Sequence, residues 1–521
     1  MQRKLEVLWK TVAVFLVASS LLLGFSWDYT NAKPYIPKWF HSSDWNSANE
    51  TGTGTVTTPS PPPSPPSNPI LKDGNSTLLE MAPSYIKAIM TPEDTTFPRL
   101  ACPAPTGDRY LYLKAGSTNM THGRTLRPRY FFALDLHQCA SVLPRLIGSV
   151  IESIRFLGPQ NCALSVIEGR SDDGTFEILL SLREEIERIG AKYYFNSSDI
   201  NPTVGDRIKA LAELRNQALQ PLLDHADKGT PTNTTTVVFI NDVALCMEDI
   251  LELIHQRKYQ NADMTCAMDW TYVGPDPTFY DVWIARGMNG DTFFNIPEDG
   301  NWNSAWNIFW NNPSASERQR TGKPFQVFSC WNGATAFTAE PFLESKIRFR
   351  TSHEHECPQG EPKTWCTEMW YFGYGRIAVI PSVNLEYSDE AAKKIKTAKG
   401  YVSRWVGSAD AEGEERIKWE TTPPSTVKCM PSYQNQTWLP WEEQLQVVEH
   451  ESPPRERAFV TVFSTHRIEG FTPTNQMTHV VSTAPSNSQF KAHTRIELSI
   501  SILLILQQEL AMLNPHNAHF K

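Results

Sequence analysis

Apolar positions in the middle of the chain switch repeatedly between the spacing of a strand and that of a helix. Residues 129–134 (RYFFAL) are almost wholly apolar and predict a strand buried on both faces. Apolar residues then recur at helical spacing over 142–156. Residues 162–167 (CALSVI) predict a second strand, 175–189 a helix, 192–195 a strand, and 206–223 a longer helix with Ile208, Leu211 and Leu214 on one face. The β-branched run 235–240 (TTVVFI) is followed by a predicted helix over 247–255 and a strand over 264–268. Repeated β and α units predict an α/β domain with a mainly parallel central sheet covered by helices. Ligands of such sheets sit beyond the carboxyl ends of the strands.

The flanks read differently. Arg3, Lys4 and Lys10 precede an uncharged apolar run over 11–27, near the roughly 17–25 residues needed to cross a bilayer. This predicts a short cytosolic tail at 1–10 and one transmembrane signal anchor at 11–27, the rest of the chain being lumenal. A cleaved signal peptide is the rival reading. Residues 28–110 include TGTGTVTTPSPPPSPPSNP and predict a largely disordered stem. A folded domain is then expected over 111–410 and a partly disordered extension over 411–521. Within that extension, the apolar run 498–506 is too short to span a membrane.

Composition narrows the compartment and the partners. With 48 basic against 57 acidic residues and no basic patch, nucleic acid is excluded as a partner. Six N-x-S/T sequons, at Asn49, Asn75, Asn119, Asn196, Asn233 and Asn435, suit an oxidising lumen. Nine cysteines without a CxxC pair predict disulfides rather than metal ligation, and the odd number leaves at least one thiol free. Cys357 and Cys366 bracket a loop short enough for a disulfide to close, although either could pair elsewhere.

Three predicted strand ends carry acids. The first is the turn Glu168-Gly169-Arg170-Ser171-Asp172-Asp173-Gly174, whose Ser and Asp side chains either accept from a base or ribose or simply cap the next helix. The second is Asn241-Asp242, where a carboxylate either holds a divalent cation against a diphosphate or caps the helix that follows. Asp269-Trp270 is the third, pairing an acid for a sugar hydroxyl with an aromatic for a sugar face. Eight of the sixteen tryptophans lie between 270 and 370, which favours carbohydrate. Trp302, Trp306 and Trp310 nevertheless recur at helical spacing, as a core stripe would. Trp331-Asn332-Gly333 is expected to be exposed at a turn. His353-Glu354-His355-Glu356 lacks the spacing of a zinc helix.

The runs VVFINDV, MTCAMDW, PTFYDVWIARG, WNIFWNNP, FSCWNGATAF and IAVIPSVNLEYSDEAAKKIK resemble the fungal family of cryptococcal α-1,3-mannosyltransferases and capsule-associated proteins, glycosyltransferase family 69, over about 130–405. The resemblance implies a GT-A-type nucleotide-sugar-binding fold, a type II Golgi membrane protein, and a divalent cation, Mn²⁺ or Mg²⁺. It further implies retaining transfer of mannose from GDP-mannose to a mannose-containing glycan. By motif position, Glu168, Ser171, Asp172, Asp173, Asn241 and Asp242 would face the nucleotide sugar, with Asp242 on the metal. Trp270, Asp281, Arg286, Trp331 and Asn332 would surround sugar and acceptor, and Asp269, Glu361 and Glu368 are catalytic candidates. Where the family's loop reads Glu-Cys-x-Gln-Ser-Glu-Cys, this chain has Glu356-Cys357-Pro358-Gln359-Gly360-Glu361-Pro362 and lacks the later cysteine. Only one acid stands in Asn241-Asp242-Val243, where many nucleotide-sugar enzymes carry Asp-x-Asp. That keeps two alternatives open, another donor such as UDP-xylose and a non-catalytic scaffold of a polysaccharide synthase.

Overall fold

A computed structural model of the chain describes residues 74–114, 127–224, 232–354, 356–406 and 414–442. The expected cytosolic tail, membrane anchor and first part of the stem lie outside the described residues, as do Asn49, Asn119, His355 and the tail from 443. No helix among the described residues is long and apolar enough to cross a membrane. The chain divides into units at 1–457 and 458–521, and all described residues belong to the first.

Strands β1 (Tyr130–Leu136), β2 (Cys162–Glu168), β3 (Lys192–Ser197) and β4 (Thr236–Ile240) form where the apolar runs predict them. They are joined by β5 (Met264–Tyr272), the short β6 (Pro277–Phe279) and β7 (Arg286–Gly287), then β8 (Phe325–Ser329), β9 (Ala334–Thr338) and β10 (Ile377–Leu385). The sheet order is β3-β2-β1-β4-β9-β5-β10-β8-β7, with β6 paired to β5. β3-β2-β1-β4 and β5-β10 are parallel, while β9 lies antiparallel between β4 and β5. The fold is therefore mixed α/β with a largely parallel sheet. Neighbouring β8 and β9 do not pair with each other, so the intruding strand left no local signature.

Side chains alternate across each strand, and both faces are covered. Along β1, Tyr130, Phe132, Leu134 and Leu136 enter one core, whereas Phe131 and Ala133 enter the other. Helices α2 (Leu143–Leu157), α6 (Met247–Tyr259) and α8 (Asp389–Lys399) carry buried residues for the sheet. Helix α5 (Arg207–Asp224) buries Ala212, Leu214, Ala218, Leu219 and Leu222 in the second core. The single helix expected over 175–189 is instead two, α3 (Thr175–Ser181) and α4 (Arg183–Arg188).

Ordered structure reaches back beyond the expected boundary at 111. Helix α1 (Ala82–Met90) buries Ala82, Ala88 and Ile89, and Cys102 is disulfide-bonded to Cys246. The segment is held because Arg99 donates to the carbonyls of Ala88, Thr91 and Pro144. At the other end, β11 (Thr426–Cys429) and β12 (Thr437–Pro440) form a hairpin tied down by Cys357–Cys429. The Cys357–Cys366 pairing does not form, since Cys366 lies inside helix α7 (Glu361–Tyr371). Cys266–Cys330 is the third disulfide, and Cys139, Cys162 and Cys366 are buried free thiols. The expected helical stripe of tryptophans is also corrected. Residues 301–312 run in turns, burying Ala305 and Phe309 while Trp306 is 71% exposed.

Candidate active site

The carboxyl ends of β1, β2, β4 and β5 converge on a set of acids, two of which bear on solvent. Glu168 ends β2 fully buried, accepting from the Ser171 N–H (2.5 Å) and the Ser197 hydroxyl (2.9 Å). Ser171 Oγ accepts from the Gln138 N–H, and Asp173 accepts from the N–H groups of Ala140 and Thr175. These three polar side chains bond within and beside the turn itself, with Glu168 and Ser171 buried. Asp172 is exposed, its carboxylate accepting from Gln138 Nε2.

Asp135 lies on the same face of β1 as Phe131 and Ala133, toward helix α5, and is half-buried. It escapes a sequence reading because it sits within an apolar strand rather than in a loop after one. Burial pushes its carboxyl up to about 6, with Arg215 opposing and Glu361 adding to the rise. A carboxyl raised in the folded state stabilises below its unfolded pKa of 3.8, and that contribution is lost as pH rises through about 6. We expect the thermal midpoint of Asp135→Asn to gain on that of the parent protein between pH about 4 and about 6. Parallel midpoint curves across that window would remove the assignment.

Asp242 follows β4, whose five residues are all buried. Its side chain is exposed, yet the surrounding protein desolvates the carboxyl enough to raise its pKa, while Arg207, Arg215 and His137 oppose the rise. Beside it, Asn241 Oδ1 accepts from the Trp331 indole at 3.0 Å, and its N–H donates to Gly333. His137 Nδ1, also close, is buried without a partner.

The turn before β9 closes the far side. Asn332 (φ 56°) and Gly333 (φ 79°) both adopt left-handed backbone, and a Cβ on Gly333 would sit 3.2 Å from Val243 and 3.4 Å from Asp269. Asn332 is held there by donating from Nδ2 to the Ala267 carbonyl at 2.8 Å. Its backbone N–H donates to Asp281 at 2.9 Å. Asp269 is fully buried, with one oxygen accepting from the Tyr387 hydroxyl at 2.7 Å and the other lacking a partner. Burial, and then the charge of Asp281, holds the Asp269 carboxyl well above the ordinary range. Burial likewise pushes Asp281 up to about 6 against the Asn332 N–H and Arg215.

Other expected contacts turn inward. Trp270 is fully buried and donates to Asn384 at 2.8 Å, so its ring packs in the core and has no open face for a sugar. Trp331, expected at the surface, is 2% exposed and packs on Phe239 and Phe349. Arg286 donates to the carbonyls of Lys428, Val282 and Ala285, bracing the hairpin rather than an acceptor. Glu361 and Glu368, read as belonging to an acidic loop, lie on α7 and pair with Arg215 and Arg350 at 2.7 and 2.6 Å. Arg350 also clamps Glu356, one of the two acids of the histidine-rich stretch. No group of three or more metal-ligating side chains occurs among the described residues.

The sequence model of a family described as "Cryptococcal mannosyltransferase 1" matches residues 129–368, a span that holds every acid of this cluster. Over 338 residues the chain is 34% identical to Alpha-1,3-mannosyltransferase CMT1 of Cryptococcus neoformans, covering 62% of this chain and 70% of CMT1. This chain belongs to the cryptococcal mannosyltransferase family. As a member of that family it is a glycosyltransferase. Two solved structures overlap it loosely. The mannosyltransferase PcManGT from Pyrobaculum calidifontis, in complex with GDP-Man and Mn²⁺, is 13% identical with a TM-score of 0.30, covering 59% of this chain and 68% of PcManGT. TarS of S. aureus, in complex with UDP, is 12% identical with a TM-score of 0.29, covering 55% of this chain and 67% of that one.

In this transferase the structure brings Asp242, Asp269, Asp281, Asn241 and Asn332 to one place. It adds Asp135, His137, Arg215, Tyr280 and Tyr387, none of them among the residues expected at the site, although Tyr280 and Tyr387 stand within the runs that carry the family resemblance. Asp135 was visible in principle, as the lone acid of an otherwise apolar strand. Arg215 carries no local signal, since only packing places it here.

Proposed function

We propose that this chain transfers mannose from GDP-mannose to a mannose-containing glycan, forming an α-1,3 linkage with retention, on a GT-A-type fold. The observation that carries this reading is Asp242, a solvent-open carboxylate just past a buried parallel strand in a chain 34% identical to an α-1,3-mannosyltransferase. GDP-mannose is α-linked, so an α product means retention. No side chain is assigned as a nucleophile.

The residues present fit a hard divalent cation of the Mn²⁺ or Mg²⁺ type. Asp242 is an exposed carboxylate, and the His137 imidazole, whose charge acts on it, has a buried nitrogen without a partner. One carboxylate suffices where diphosphate oxygens and water complete the shell. Such a cation, when bound, neutralises charge on the departing diphosphate. This chain's own part is to hold Asp242 open through the Asn241–Trp331 bond and to seat the sugar against Asp281 and Asp269. Burial disfavours charge on Asp269, which accepts from the Tyr387 hydroxyl and keeps a second oxygen without a partner.

A lumenal, Golgi-type setting accords with three disulfides and with exposed asparagines at the sequons Asn75, Asn196, Asn233 and Asn435. The test is a thermal-shift panel on the purified protein with GDP-mannose, GDP, UDP-glucose and UDP-xylose, each with and without Mn²⁺. GDP ligands are expected to stabilise selectively and only with the cation. Stabilisation by UDP ligands alone would move the donor to a UDP-sugar, and no shift with any nucleotide would remove the enzymatic reading of this site.

A further inference from the structure

Arg215 is buried, 6% exposed, in the middle of helix α5, and it is held from two sides. Its Nε donates to Glu361 Oε1 at 2.7 Å, and its guanidinium lies 4.4 Å over the Trp331 ring, with Phe239 and Phe349 also beneath it. Yet the side chain has five N–H donors, and this is the single hydrogen bond it makes among the described residues. Nη1 is buried with no partner at all. The charges of Asp135, Glu361 and Asp281 act on the guanidinium, and that of Arg215 acts in turn on Asp242. None of the three aspartates reaches it with a hydrogen bond. A buried guanidinium whose Nη1 has no partner, and on which acids act by charge without bonding it, lacks an acceptor.

We infer that Arg215 is a direct contact of the donor's diphosphate, its free N–H groups bonding phosphate oxygens between itself and Asp242. The planar fork of arginine suits phosphate oxygens, and charge-assisted bonds of this kind are among the stronger ones. The role rests on the nucleotide-sugar reading above and adds a residue to it. When the anomeric carbon–oxygen bond breaks, its electron pair passes to a diphosphate oxygen; the new bond forms to the acceptor's hydroxyl oxygen, whose proton passes to that departing diphosphate oxygen. Bonds from Arg215 to the departing oxygens strengthen as that charge develops. Glu361 and Trp331 act as positioning residues that fix the plane of the fork.

The experiment is isothermal titration of the full chain and its Arg215→Lys and Arg215→Gln variants with Mn²⁺-pyrophosphate, Mn²⁺-GDP and guanosine. Both variants should lose about 10- to 100-fold in affinity for pyrophosphate and GDP, while guanosine changes less than about twofold. Equal losses for guanosine and GDP would make Arg215 a packing residue, and unchanged pyrophosphate binding would overturn the contact outright. The pyrophosphate arm is independent of the base, so a wrong choice of GDP over UDP would not be mistaken for failure here. Should neither variant fold, a crystal structure of the unmutated protein with Mn²⁺ and GDP decides. A diphosphate beyond hydrogen-bond reach of Arg215 would overturn the assignment.

Discussion

Asp242→Ala should lower kcat/KM for sugar transfer by about 1,000-fold, equivalent to about 4 kcal/mol of transition-state stabilisation, while leaving the thermal midpoint nearly unchanged. The two halves of that expectation have separate causes. The Asp242 side chain is exposed, and the surrounding protein disfavours its charge, so its removal takes nothing from the folded state. Surface changes of this sort usually stay within about 0.5 kcal/mol. Activity instead depends on an open carboxylate at the end of β4, and no second acid adjoins it in Asn241-Asp242-Val243 to take over. Transfer from GDP-mannose to small α-mannosides, measured with a Mn²⁺ titration, checks the first half, and a thermal unfolding curve checks the second. A variant that keeps its activity and its cation dependence would remove Asp242 from the site.

Trp270→Ala is expected to fail for the opposite reason, costing about 3–5 kcal/mol of stability. The ring is fully buried on β5, with the Phe279 position opposite, Asn384 accepting its N–H and the Lys399 ammonium 4.2 Å over its face. Truncation leaves a large cavity and an amide oxygen without its donor. Denaturant unfolding with Trp270→Phe alongside gives the measurement, and the Phe variant should recover much of the loss because most of the apolar volume returns. If Trp270 stacked on a sugar instead, the alanine variant would keep its stability and weaken acceptor binding. That pattern would return the residue to the site.

These two residues show how far local pattern reaches. Both follow or end a strand, and both are the kind of side chain that binds carbohydrate, yet one is open and the other sealed. The difference lies in what covers them. β5 is buried on both faces as far as Trp270, where β6 pairs beside it and Lys399 lies over the ring. The loop after β4 instead leads out of the sheet at the point where the Trp331-Asn332-Gly333 turn folds over Asn241. That turn joins β8 and β9, which are not neighbours in the sheet, so its position over the site cannot be read from its own residues. The Glu168–Gly174 turn teaches the same lesson. Its acids look like ligands in sequence, and Glu168 and Asp173 prove to close the turn because their acceptors meet N–H groups a few residues away.

What the sequence determined by itself is the scaffold and one residue. Runs of apolar residues at strand and helix spacing dictate β1 to β5 and the helices between them, because burial on both faces of a sheet demands such runs whatever lies around them. They also place Asp242 at a strand end, where ligands of such sheets bind. Tertiary structure alone decided the rest. The insertion of β9, the three cysteine pairs, the burial of Trp270 and Trp331, and the arrival of Arg215 beside Asp135 and Asp281 join segments from 64 residues apart, as in Cys266–Cys330, to 146 residues apart, as in Arg215–Glu361. Periodicity records which side of an element is apolar, not which distant element covers it. A site made of side chains from seven separate segments therefore exists only once those segments have packed.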